Sequence, residues 1–557
     1  MAEELFTEGE DYPAVSVDFD EVIDDRAVIA ARNAFGIKYL FPWQRLVVSN
    51  ILDCYENFKI LDDGSGFCEE EDFLFRGNQI VILPTGAGKS LCFLTPALLM
   101  DGPTLVIYPL LALMADQKRR MDEAGIPSVL LRGGLQDFEL EEIFLSLNSG
   151  KIKVIVANPE ILMNRKILDN LKSCGICHIA IDEAHCACEW GDSFRPAYLS
   201  LGETVKYLGV KIVTAFTATA SPPVLQRVSQ IIFDGNARIL QSSGDRPNIH
   251  YAVKYCYGKK KALLHCCKEY RKPLIVFCST RRGCEDAARL LCSYFGREKV
   301  KFYHAGLTKE EKDKTEKWFF QSDDGILTAT CAYGMGMDKG NIYTVIHLDP
   351  PEHLENFVQE AGRAGRKGDN VNSVLLWSHS DSVKFNGAKE GSRERVMKDY
   401  AETSLCRRQF ILNYLSGEEC SCFGCDVCDA QKQGITLNKN ALDAELALKL
   451  LGKNRRLYTK KEFAPVLTEK LNERDLEFFG ENVWDVKDAQ QIINQLLGKR
   501  KIKTLGGLWK NTLDIEKKER PYKKRIFPIR CLHRFHLFRR NFRRCRRIFL
   551  EFAGKAS

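Results

Sequence analysis

Residues 179–196 read IAIDEAHCACEWGDSFRP, and the fold can be worked out from the apolar run that leads into this stretch. The run from Cys177 to Ile181 is short and mostly apolar, which is typical of a strand buried in a parallel sheet. It ends in two adjacent carboxylates, Asp182 and Glu183, at the carboxyl edge where open α/β sheets bind their ligands. The stretch therefore predicts an α/β fold with a site for a metal-bound nucleotide at this edge.

The second half of the same stretch carries aromatic and guanidinium side chains. Trp190, Phe194 and Arg195 are suited to stacking on unpaired bases of a nucleic acid. One segment would then contact both a nucleotide and a nucleic acid. The alternative is a buried strand followed by an ordinary loop, and only the agreement with other motifs decides against it.

A glycine-rich turn follows an earlier apolar run. Residues 84–90 read PTGAGKS, come directly after Gln79–Leu83 and open a helix. Glycines let backbone amides curl around phosphate oxygens, and the helix N-terminus adds a favourable partial charge. Lys89 would reach the terminal phosphates and Ser90 a magnesium ion, although Leu83 replaces the first Gly of the usual pattern. The predicted nucleotide-binding residues of this turn are Thr85, Gly86, Ala87, Gly88, Lys89 and Ser90.

Strand and helix signals alternate along most of the chain, in two series. Repeated units of this kind predict parallel sheets covered on both faces, and hence two α/β lobes. Only the first series contains phosphate-cradling glycines, so the second lobe would complete a nucleotide site rather than make its own. The predicted strands are Gln79–Leu83, Thr104–Tyr108, Lys153–Ala157, Cys177–Ile181 and Lys211–Phe216 in the first series, and 273–278, 300–303, 325–328 and 344–348 in the second.

The second lobe offers the stretch QEAGRAGR, residues 359–366, as its contribution to the site. Arg363 and Arg366 are three residues apart, so they would point the same way at the start of a helix and could stabilise charge on a transferring phosphoryl group. Taken alone, the stretch favours a surface helix that carries salt bridges.

Composition bounds the class of protein. The chain has 557 residues and a net charge of +7. Residues 520–557 hold thirteen Lys or Arg and one acid, Glu551; subtracting this +12 from +7 leaves −5, so the body is mildly acidic. Any DNA-binding surface there must be a local stripe.

The longest apolar run, Leu105–Ala115, is too short for a membrane span. The acidic start, Met1–Asp25, does not resemble a signal peptide, so we expect most of the 21 cysteines to be reduced thiols.

Two further regions have a strongly biased charge. An acidic loop is predicted as an exposed insertion between Tyr55 and Arg76. The basic tail from Arg520 to Arg547 interleaves cations with Phe527, Phe535 and other aromatic residues, which suits DNA binding by charge and stacking but also fits a shifted reading frame.

Four cysteines have the number and spacing of a closed zinc site. Two repeated Cys-x-x-Cys steps hold Cys422, Cys425 and Cys428, and Cys406 on a preceding helix supplies a fourth thiolate. Cys420 is a rival for Cys422, but the three-residue period favours Cys422. We expect the zinc to be structural, with no open position for catalysis.

A small helical unit that ends in a hairpin is predicted from Leu442 to Leu513. Gly506-Gly507 would form a two-residue turn between strands at Lys501–Leu505 and Leu508–Leu513, a pattern that suits a winged helix. A basic cluster around Lys501 could contact phosphates, although a solvated face is the commoner meaning of such a cluster.

Taken together, these motifs resemble superfamily 2 helicases and, more narrowly, the RecQ DNA helicases. They span roughly Phe35 to Asp429. The motifs that carry the resemblance are Phe35-Gly36 before Gln44, the turn at 84–90, Asp182–His185, Glu189–Gly191, Phe194–Pro196, Thr217–Ala220, Asp245–Asn248, His304–Leu307, Gly334–Lys339 and Gln359–Arg366.

The resemblance implies a role for each matching residue. Gln44 would read adenine, Asp182 would complete the magnesium shell, and Glu183 would orient or deprotonate the attacking water. His185, Thr217 and Thr219 would couple hydrolysis to lobe movement. From the second lobe, Asp338 would approach the ribose, and Gln359, Arg363 and Arg366 would complete the site, with Arg366 as the arginine finger.

The resemblance also implies an activity. The chain would be an ATP-dependent 3′ to 5′ DNA helicase of repair, recombination or replication that uses ATP, Mg²⁺ and Zn²⁺ and acts on single-stranded and forked DNA beside other repair proteins. It would work on the bacterial nucleoid or in a eukaryotic nucleus, with no membrane. Where family members commonly carry Gln, His and Asp, this chain has Glu189, Asp192 and Ser193. That departure leaves a DNA-stimulated ATPase, translocase or annealing factor without strand separation as the alternative.

The expected fold class is α/β, with two RecA-like parallel-sheet lobes followed by a zinc-binding helical module and a winged-helix domain. The expected domains are an acidic segment (1–27), an ATP-binding lobe (28–240), a C-terminal helicase lobe (241–390), a zinc-binding module (391–435), a winged-helix domain (436–515) and a basic tail (516–557).

Overall fold

A computed structural model describes most of the chain between residues 25 and 516. The basic tail from residue 517 onward and most of the acidic insertion lie outside the described residues. Among the residues that are described, no helix combines the length and apolar character that crossing a membrane requires. The described ranges are 25–62, 77–84, 86–190, 196–242, 244–333, 339–366, 368–415, 417, 419–434 and 441–516.

The first lobe is built on a sheet of seven parallel strands. These are β1 (Asn78–Ile82), β2 (Thr104–Ile107), β3 (Ser128–Leu131), β4 (Val154–Ala157), β5 (His178–Ile181), β6 (Val213–Thr217) and β7 (Arg238–Gln241). Their order is β3-β4-β2-β5-β6-β1-β7. Strand β6 therefore lies between β5 and β1, so the carboxyl ends of these three strands meet at one edge of the sheet.

Helices cover both faces of this sheet. They are α1 (Arg26–Phe35), α2 (Pro42–Asp62), α3 (Lys89–Leu99), α4 (Leu111–Glu123), α5 (Asp137–Asn148), α6 (Arg165–Ser173), α7 (Cys186–Trp190), α8 (Leu201–Leu208) and α9 (Pro222–Phe233). Helix α1 ends at Phe35, because Gly36 after it adopts the left-handed conformation with φ of 66°. The prediction that the acidic loop begins at Tyr55 is wrong. Helix α2 continues to Asp62, since Tyr55 and Phe58 are buried against the core.

The second lobe repeats the architecture with six parallel strands. These are β8 (Ile249–Tyr255), β9 (Leu274–Phe277), β10 (Val300–Tyr303), β11 (Ile326–Ala329), β12 (Thr344–His347) and β13 (Val371–Trp377). Their order is β10-β11-β9-β12-β13-β8. The helices of this lobe are α10 (Lys259–Glu269), α11 (Arg281–Phe295), α12 (Lys309–Gln321) and α13 (Leu354–Ala361). The predicted α/β fold with two parallel-sheet lobes is confirmed.

Helical segments and a short hairpin complete the chain. The helices are α14 (His379–Phe385), α15 (Arg393–Glu402), α16 (Arg407–Leu415), α17 (Asp426–Lys432), α18 (Ala441–Lys453), α19 (Lys460–Phe479) and α20 (Val486–Gly498), and the hairpin strands are β14 (Ile502–Thr504) and β15 (Leu513–Ile515). The 20-residue helix α19 is absent from the sequence prediction. The winged-helix assignment stays a prediction.

The predicted two-residue hairpin turn is wrong. Strand β14 pairs with β15 in the register Thr504↔Leu513, so the connection runs from Leu505 to Thr512 instead of turning at Gly506-Gly507. Residues Gly507–Trp509 form a single 3₁₀ turn within this loop. Leu508 is 96% exposed there, so it contributes no apolar face that would hold it in a strand.

The C-terminal helices share a hydrophobic core with the second lobe. Leu467 and Ile493 from α19 and α20 are fully buried in one cluster with Leu264 and Leu291 from α10 and α11. Tyr257 of the second lobe also donates a hydrogen bond to a C-terminal glutamine. Burial of this apolar surface against the second lobe fixes the position of the C-terminal unit.

One buried carboxyl at this junction makes stability depend on pH. Asp488 caps α20 by accepting a hydrogen bond from the backbone N–H of Asp485, and it faces Gly258 of the second lobe. Burial, helped by the negative charge of Asp485, raises the pKa of Asp488 to about 7. The unfolded value is about 3.9. The stabilising contribution of the protonated form is therefore complete below pH 4 and is lost as pH rises through 7.

We expect the variant Asp488→Asn to remove this dependence, because a neutral amide oxygen can still accept the capping bond. Between pH 5 and pH 8, the melting temperature of the wild type should fall relative to that of the variant. Thermal unfolding followed by calorimetry at both pH values measures it. An unchanged difference would mean that the carboxyl titrates normally.

Candidate active site

Two motifs that are far apart in sequence meet at the carboxyl edge of the first sheet. The ammonium Nζ of Lys89 lies 3.0 Å from Oε1 of Glu183 and 3.8 Å from Oδ1 of Asp182. Lys89 opens α3 directly after β1, and the carboxylates follow β5. The strand order brings the turn at 84–90 and the carboxylate pair to the same edge of the sheet, as the sequence predicts.

The backbone around the carboxylates is constrained. Glu183 has φ of 50°, in the left-handed region that residues with a Cβ rarely adopt. Three bonds hold it there. Its own N–H donates to Oδ1 of Asp182 at 2.9 Å, and the neighbouring N–H groups of Asp182 and Ala184 donate to carbonyls at the ends of the adjacent strands, Ile107 and Phe216. Strain of this kind is found where a side chain has to be aimed at a ligand.

The two carboxylates have different proton affinities. Burial raises the pKa of Asp182 to about 6, and the charge of Lys89 only partly opposes this. Burial alone would also raise the pKa of Glu183, but the nearby Lys89 and His185 outweigh it and hold this pKa below its ordinary value. Glu183 is therefore ionised at neutral pH and able to act as a base.

The glycines of the turn are required by its geometry. Gly86 and Gly88 have φ of 85° and 78°. A Cβ on Gly88 would lie 2.4 Å from Nε2 of Gln44, which is too close for any side chain. Gln44 is buried, donates from Nε2 to the carbonyl of Ala87 at 2.7 Å and accepts from the N–H of Phe41 at 2.9 Å. In this structure Gln44 thus braces the phosphate turn, and its role toward adenine stays a prediction.

Sequence reasoning missed Gln117. The hydroxyl of Ser90, on the first turn of α3, donates to Oε1 of this buried glutamine at 3.4 Å. Gln117 belongs to α4, which follows β2 at the same edge of the sheet. The amphipathic pattern of α4 gives no signal that one of its polar residues faces the site.

A chain of polar contacts leads away from the catalytic carboxylate. Nδ1 of His185 lies 3.4 Å from Oε2 of Glu183 and 3.1 Å from Oγ1 of Thr217, and this hydroxyl in turn lies 3.2 Å from the carbonyl oxygen of Thr219. All of these side chains are buried or nearly so. The predicted coupling residues are therefore brought together, and coupling itself stays a prediction.

Two arginines of the second lobe face this edge from across the cleft. The aliphatic stem of Arg366 lies over the phosphate turn, since a Cβ on Gly86 would be 3.5 Å from its Cγ. Arg363 is 6% exposed, and its charge helps to lower the pKa of Glu183. Burial, with the repulsion of Arg366, lowers the pKa of Arg363 to about 10, so it stays charged at neutral pH.

The prediction that these two arginines lie at the start of a helix is wrong. Helix α13 ends at Ala361, and Gly365, with φ of 67°, turns the chain beyond it. Arg246, from the motif that precedes β8, holds this loop. It donates to the carbonyls of Ala364 and Gly365 at 3.1 and 3.2 Å. Sequence reasoning singled out this motif for the resemblance but did not assign Arg246 a role.

Several predicted residues are not described by the structure. Thr85, Asp338, Phe194 and Arg195 lie outside the described residues, as does the side chain of Trp190 at the end of α7. Gln359 is half-buried on α13. Their predicted contacts with nucleotide and nucleic acid stay predictions.

The four predicted metal-binding cysteines come together. The Sγ atoms of Cys406, Cys422, Cys425 and Cys428 all lie within 4.8 Å of one another. Four thiolates at 2.3 Å from a central zinc ion would be about 3.8 Å apart, so a small contraction of the cluster would place them around the ion. Cys420 does not belong to the cluster within the described residues.

Asp426 and the buried Arg408 attach this cluster to the second lobe. Asp426 lies between Cys425 and Cys428 in the sequence; one of its oxygens pairs with Nε of the buried Arg407 at 2.8 Å, and the other accepts from the N–H of Val253 on β8 at 2.9 Å. Arg408 pairs with Asp245 at 3.3 Å and donates to the carbonyls of Pro247 and Ile249, both at 3.0 Å. The cluster is thereby held against the start of β8.

The arrangement is suited to phosphoryl transfer. A glycine turn and helix N-terminus for phosphates, an ammonium, a carboxylate pair and two facing guanidinium groups are the parts that this reaction uses. A water molecule attacking a terminal phosphate would find its base in Glu183 and compensation for developing charge in the arginines.

Comparisons with known proteins agree with this chemistry. Residues 68–228 match the DEAD/DEAH box helicase family, and residues 258–368 match the helicase conserved C-terminal domain. The ATP-dependent DNA helicase RecQ of Pasteurella multocida is 33% identical over 65% of this chain and 59% of its own length. RecQ of Bacillus subtilis is 31% identical over 72% of this chain and 70% of its own length. The chain thus spans less than two thirds of the first of these relatives.

A solved structure supports the fold. The DUF1998 helicase MrfA bound to DNA superposes with a TM-score of 0.51 over 89% of this chain and 63% of its own length. Its sequence identity is 15%, so this likeness concerns the arrangement of the lobes and not their substrates.

Proposed function

Because this chain belongs to the RecQ family of ATP-dependent DNA helicases, we propose that it hydrolyses ATP to move 3′ to 5′ along one DNA strand and to separate duplex DNA. The observation that carries the proposal is the placement of Arg363 and Arg366 opposite Lys89 and Glu183. Neither lobe alone holds all the groups that the reaction needs. A change in the distance between the lobes would therefore accompany each round of hydrolysis.

Each residue of the site would have its own role in ATP hydrolysis. The backbone of the glycine turn and Lys89 would hold the phosphates, and Glu183 would orient and deprotonate the attacking water. Arg366 would neutralise the charge that develops on the transferring group. Ser90 and Asp182 would hold a magnesium ion, which when bound neutralises phosphate charge.

The substrate we propose is single-stranded or forked DNA, in repair, recombination or replication beside other repair proteins. Trp190, Phe194 and Arg195 would stack on unpaired bases next to the ATP site. The C-terminal helical unit and its basic residues around Lys501 would contact duplex phosphates. We place this activity on the bacterial nucleoid or in a eukaryotic nucleus.

A forked duplex with a labelled strand tests the proposal. We expect the full chain to hydrolyse ATP faster when single-stranded DNA is present and to release the labelled strand only with ATP. A 3′ tail should support release, and a 5′ tail should not. Hydrolysis without strand release would contradict the helicase assignment and indicate a translocase, while DNA binding without hydrolysis would indicate an annealing factor.

We further propose that the cysteine cluster holds structural zinc. Bound zinc would supply a fixed crosslink among the four thiolates and no open coordination position. The support is the spacing of the four sulfurs and the attachment of the module to β8 through Asp426 and Arg408.

Two matched variants test the zinc site. We expect Cys422→Ser to lose most of the bound metal, because three thiolates bind zinc more weakly than four, and Cys420→Ser to keep about one zinc ion per chain. Metal analysis of the purified proteins measures this. Equal zinc content in both variants, or loss from Cys420→Ser alone, would contradict the assignment.

A further inference from the structure

A buried hydrogen bond joins the two lobes away from the nucleotide site. The hydroxyl of Ser221, in the first lobe, donates to Oε1 of Glu355, in the second lobe, at 2.6 Å. Both residues are shielded from solvent, with exposures of 0% and 3%. A bond to a carboxylate in such surroundings is stronger than one at a surface.

The local sequence explains why Ser221 is able to make this contact. It is the N-cap of α9, where a serine normally accepts a hydrogen bond from a backbone N–H of the first turn. Helix α9 begins with Pro222 and Pro223, and the Ser221 side chain makes no capping bond. The hydroxyl is consequently directed across the cleft instead of along its own helix.

Glu355 gathers donors from three other segments. Besides Ser221, Oε1 accepts from Nε of Arg393 on α15 and from the hydroxyl of Tyr414 on α16, both at 3.1 Å. Burial alone would raise the pKa of Glu355, but Arg393 and Ser221 outweigh it and keep the pKa below its ordinary value. The carboxylate is therefore ionised and held firmly by the second lobe, so that Ser221 is its one donor from the first lobe among the described residues.

The position of Glu355 on α13 explains how the bond to Ser221 can fix the direction of this helix. Glu355 lies on the first turn of α13, and Arg366 lies just beyond the last turn, where its stem contacts Gly86. An eight-residue helix is about 12 Å long. Two contacts at its opposite ends fix the direction of the helix relative to the first lobe, whereas the arginine contact alone would leave it free to pivot.

On the first-lobe side, Ser221 is connected along the chain to the polar contacts that lead from the catalytic carboxylate. Ser221 follows the segment that contains Thr217 and Thr219, and Thr217 contacts His185. A shift of this segment on hydrolysis would move Ser221, because they belong to one continuous stretch of chain. The movement of Ser221 would then act on Glu355 through their hydrogen bond.

We infer that Ser221 and Glu355 are positioning residues, which lock α13 so that Arg363 and Arg366 point at the nucleotide when the lobes close. This inference rests on the proposed ATPase function and concerns the closing step of that function. Neither residue contacts the nucleotide site directly.

Fluorescence transfer between dyes on the two lobes tests the inference without requiring hydrolysis. With AMP-PNP and single-stranded DNA, Ser221→Ala should lower the ratio of closed to open molecules by about tenfold. Ser200→Ala is the matched control, because Ser200 is also a first-lobe N-cap serine without a capping bond, and its hydroxyl donates to the carbonyl of Ala197 within its own lobe. It should keep the wild-type ratio within about twofold.

ATP hydrolysis supplies a second readout. In Ser221→Ala the DNA-stimulated kcat should fall by about tenfold while the KM for ATP changes less than twofold. Equal behaviour of Ser221→Ala and Ser200→Ala in the transfer measurement would overturn the inference. A wild-type protein that closes on AMP-PNP but never hydrolyses ATP would instead overturn the proposed function, and the transfer comparison would still decide the role of Ser221.

Discussion

Replacing Lys89 with alanine is expected to lower the rate of ATP hydrolysis by about 10³-fold. The ammonium is the group of the first lobe that bridges the phosphate turn and the carboxylate pair, at 3.0 Å from Glu183. Its removal takes away charge that stabilises the transferring phosphoryl group. It also leaves two neighbouring carboxylates without their cation, which raises the pKa of Glu183 above its value in the intact site.

Phosphate release from ATP, measured at saturating single-stranded DNA, checks this expectation. Lys59→Ala is a suitable control, because Lys59 is a surface lysine on α2 that pairs with Asp101, remote from the site. It should hydrolyse ATP at the wild-type rate. Unchanged hydrolysis in Lys89→Ala would refute the assignment of the turn at 84–90 as the phosphate site.

Replacing Arg366 with alanine is expected to lower kcat by about 10³-fold while ATP still binds. Arg366 belongs to the second lobe, yet its stem lies 3.5 Å from the position of a Cβ on Gly86. Its guanidinium would act on the charge that develops during transfer, so its loss should affect the chemical step more than the ground state. Arg363, which is buried beside it, cannot replace it from the same position.

The measurement is a single-turnover rate together with the dissociation constant of a fluorescent ATP analogue. Arg282→Ala serves as the control, since Arg282 is an arginine of the same lobe with a side chain that is 91% exposed. A rise in the dissociation constant with an unchanged single-turnover rate would show that Arg366 binds ATP but is not an arginine finger.

The parts of the site that follow buried strands could be predicted from the sequence. The turn at 84–90 and the carboxylates at 182–183 each come after a continuous apolar run, and a parallel sheet brings the ends of such runs together. The cysteine cluster could be predicted for a similar reason, because its spacing is local. In each case the apolar run or the cysteine spacing that predicts the site lies within a few residues of the side chains that form it.

Four strands were missed: β3, β7, β8 and β13. In β8 and β13 the polar residues His250, Asn372 and Ser373 interrupt the apolar pattern. Strand β7 is an edge strand that reads Arg-Ile-Leu-Gln and is mostly exposed, so hydrophobicity does not distinguish it from a loop. Strand β3, at the other edge, has only four residues and a half-buried pattern. The hairpin turn failed for a different reason, because Gly506-Gly507 is compatible with several loop conformations.

Contacts between distant segments could not be predicted at all. The bonds from Arg246 to the loop after α13 and from Ser221 to Glu355 join residues more than 100 positions apart. The brace that Gln44 provides for Ala87 is of the same kind. Nothing in the local pattern of these residues states which partner they will meet, since that depends on how complete lobes pack.

The central claim is that both lobes enclose one nucleotide. A crystal structure of the full chain with AMP-PNP, magnesium and single-stranded DNA tests it most directly. The account predicts a terminal phosphate between the ammonium of Lys89 and the guanidinium of Arg366, with Glu183 in hydrogen-bond reach of the attacking water. A nucleotide bound to the first lobe with Arg363 and Arg366 turned away from its phosphates would contradict it.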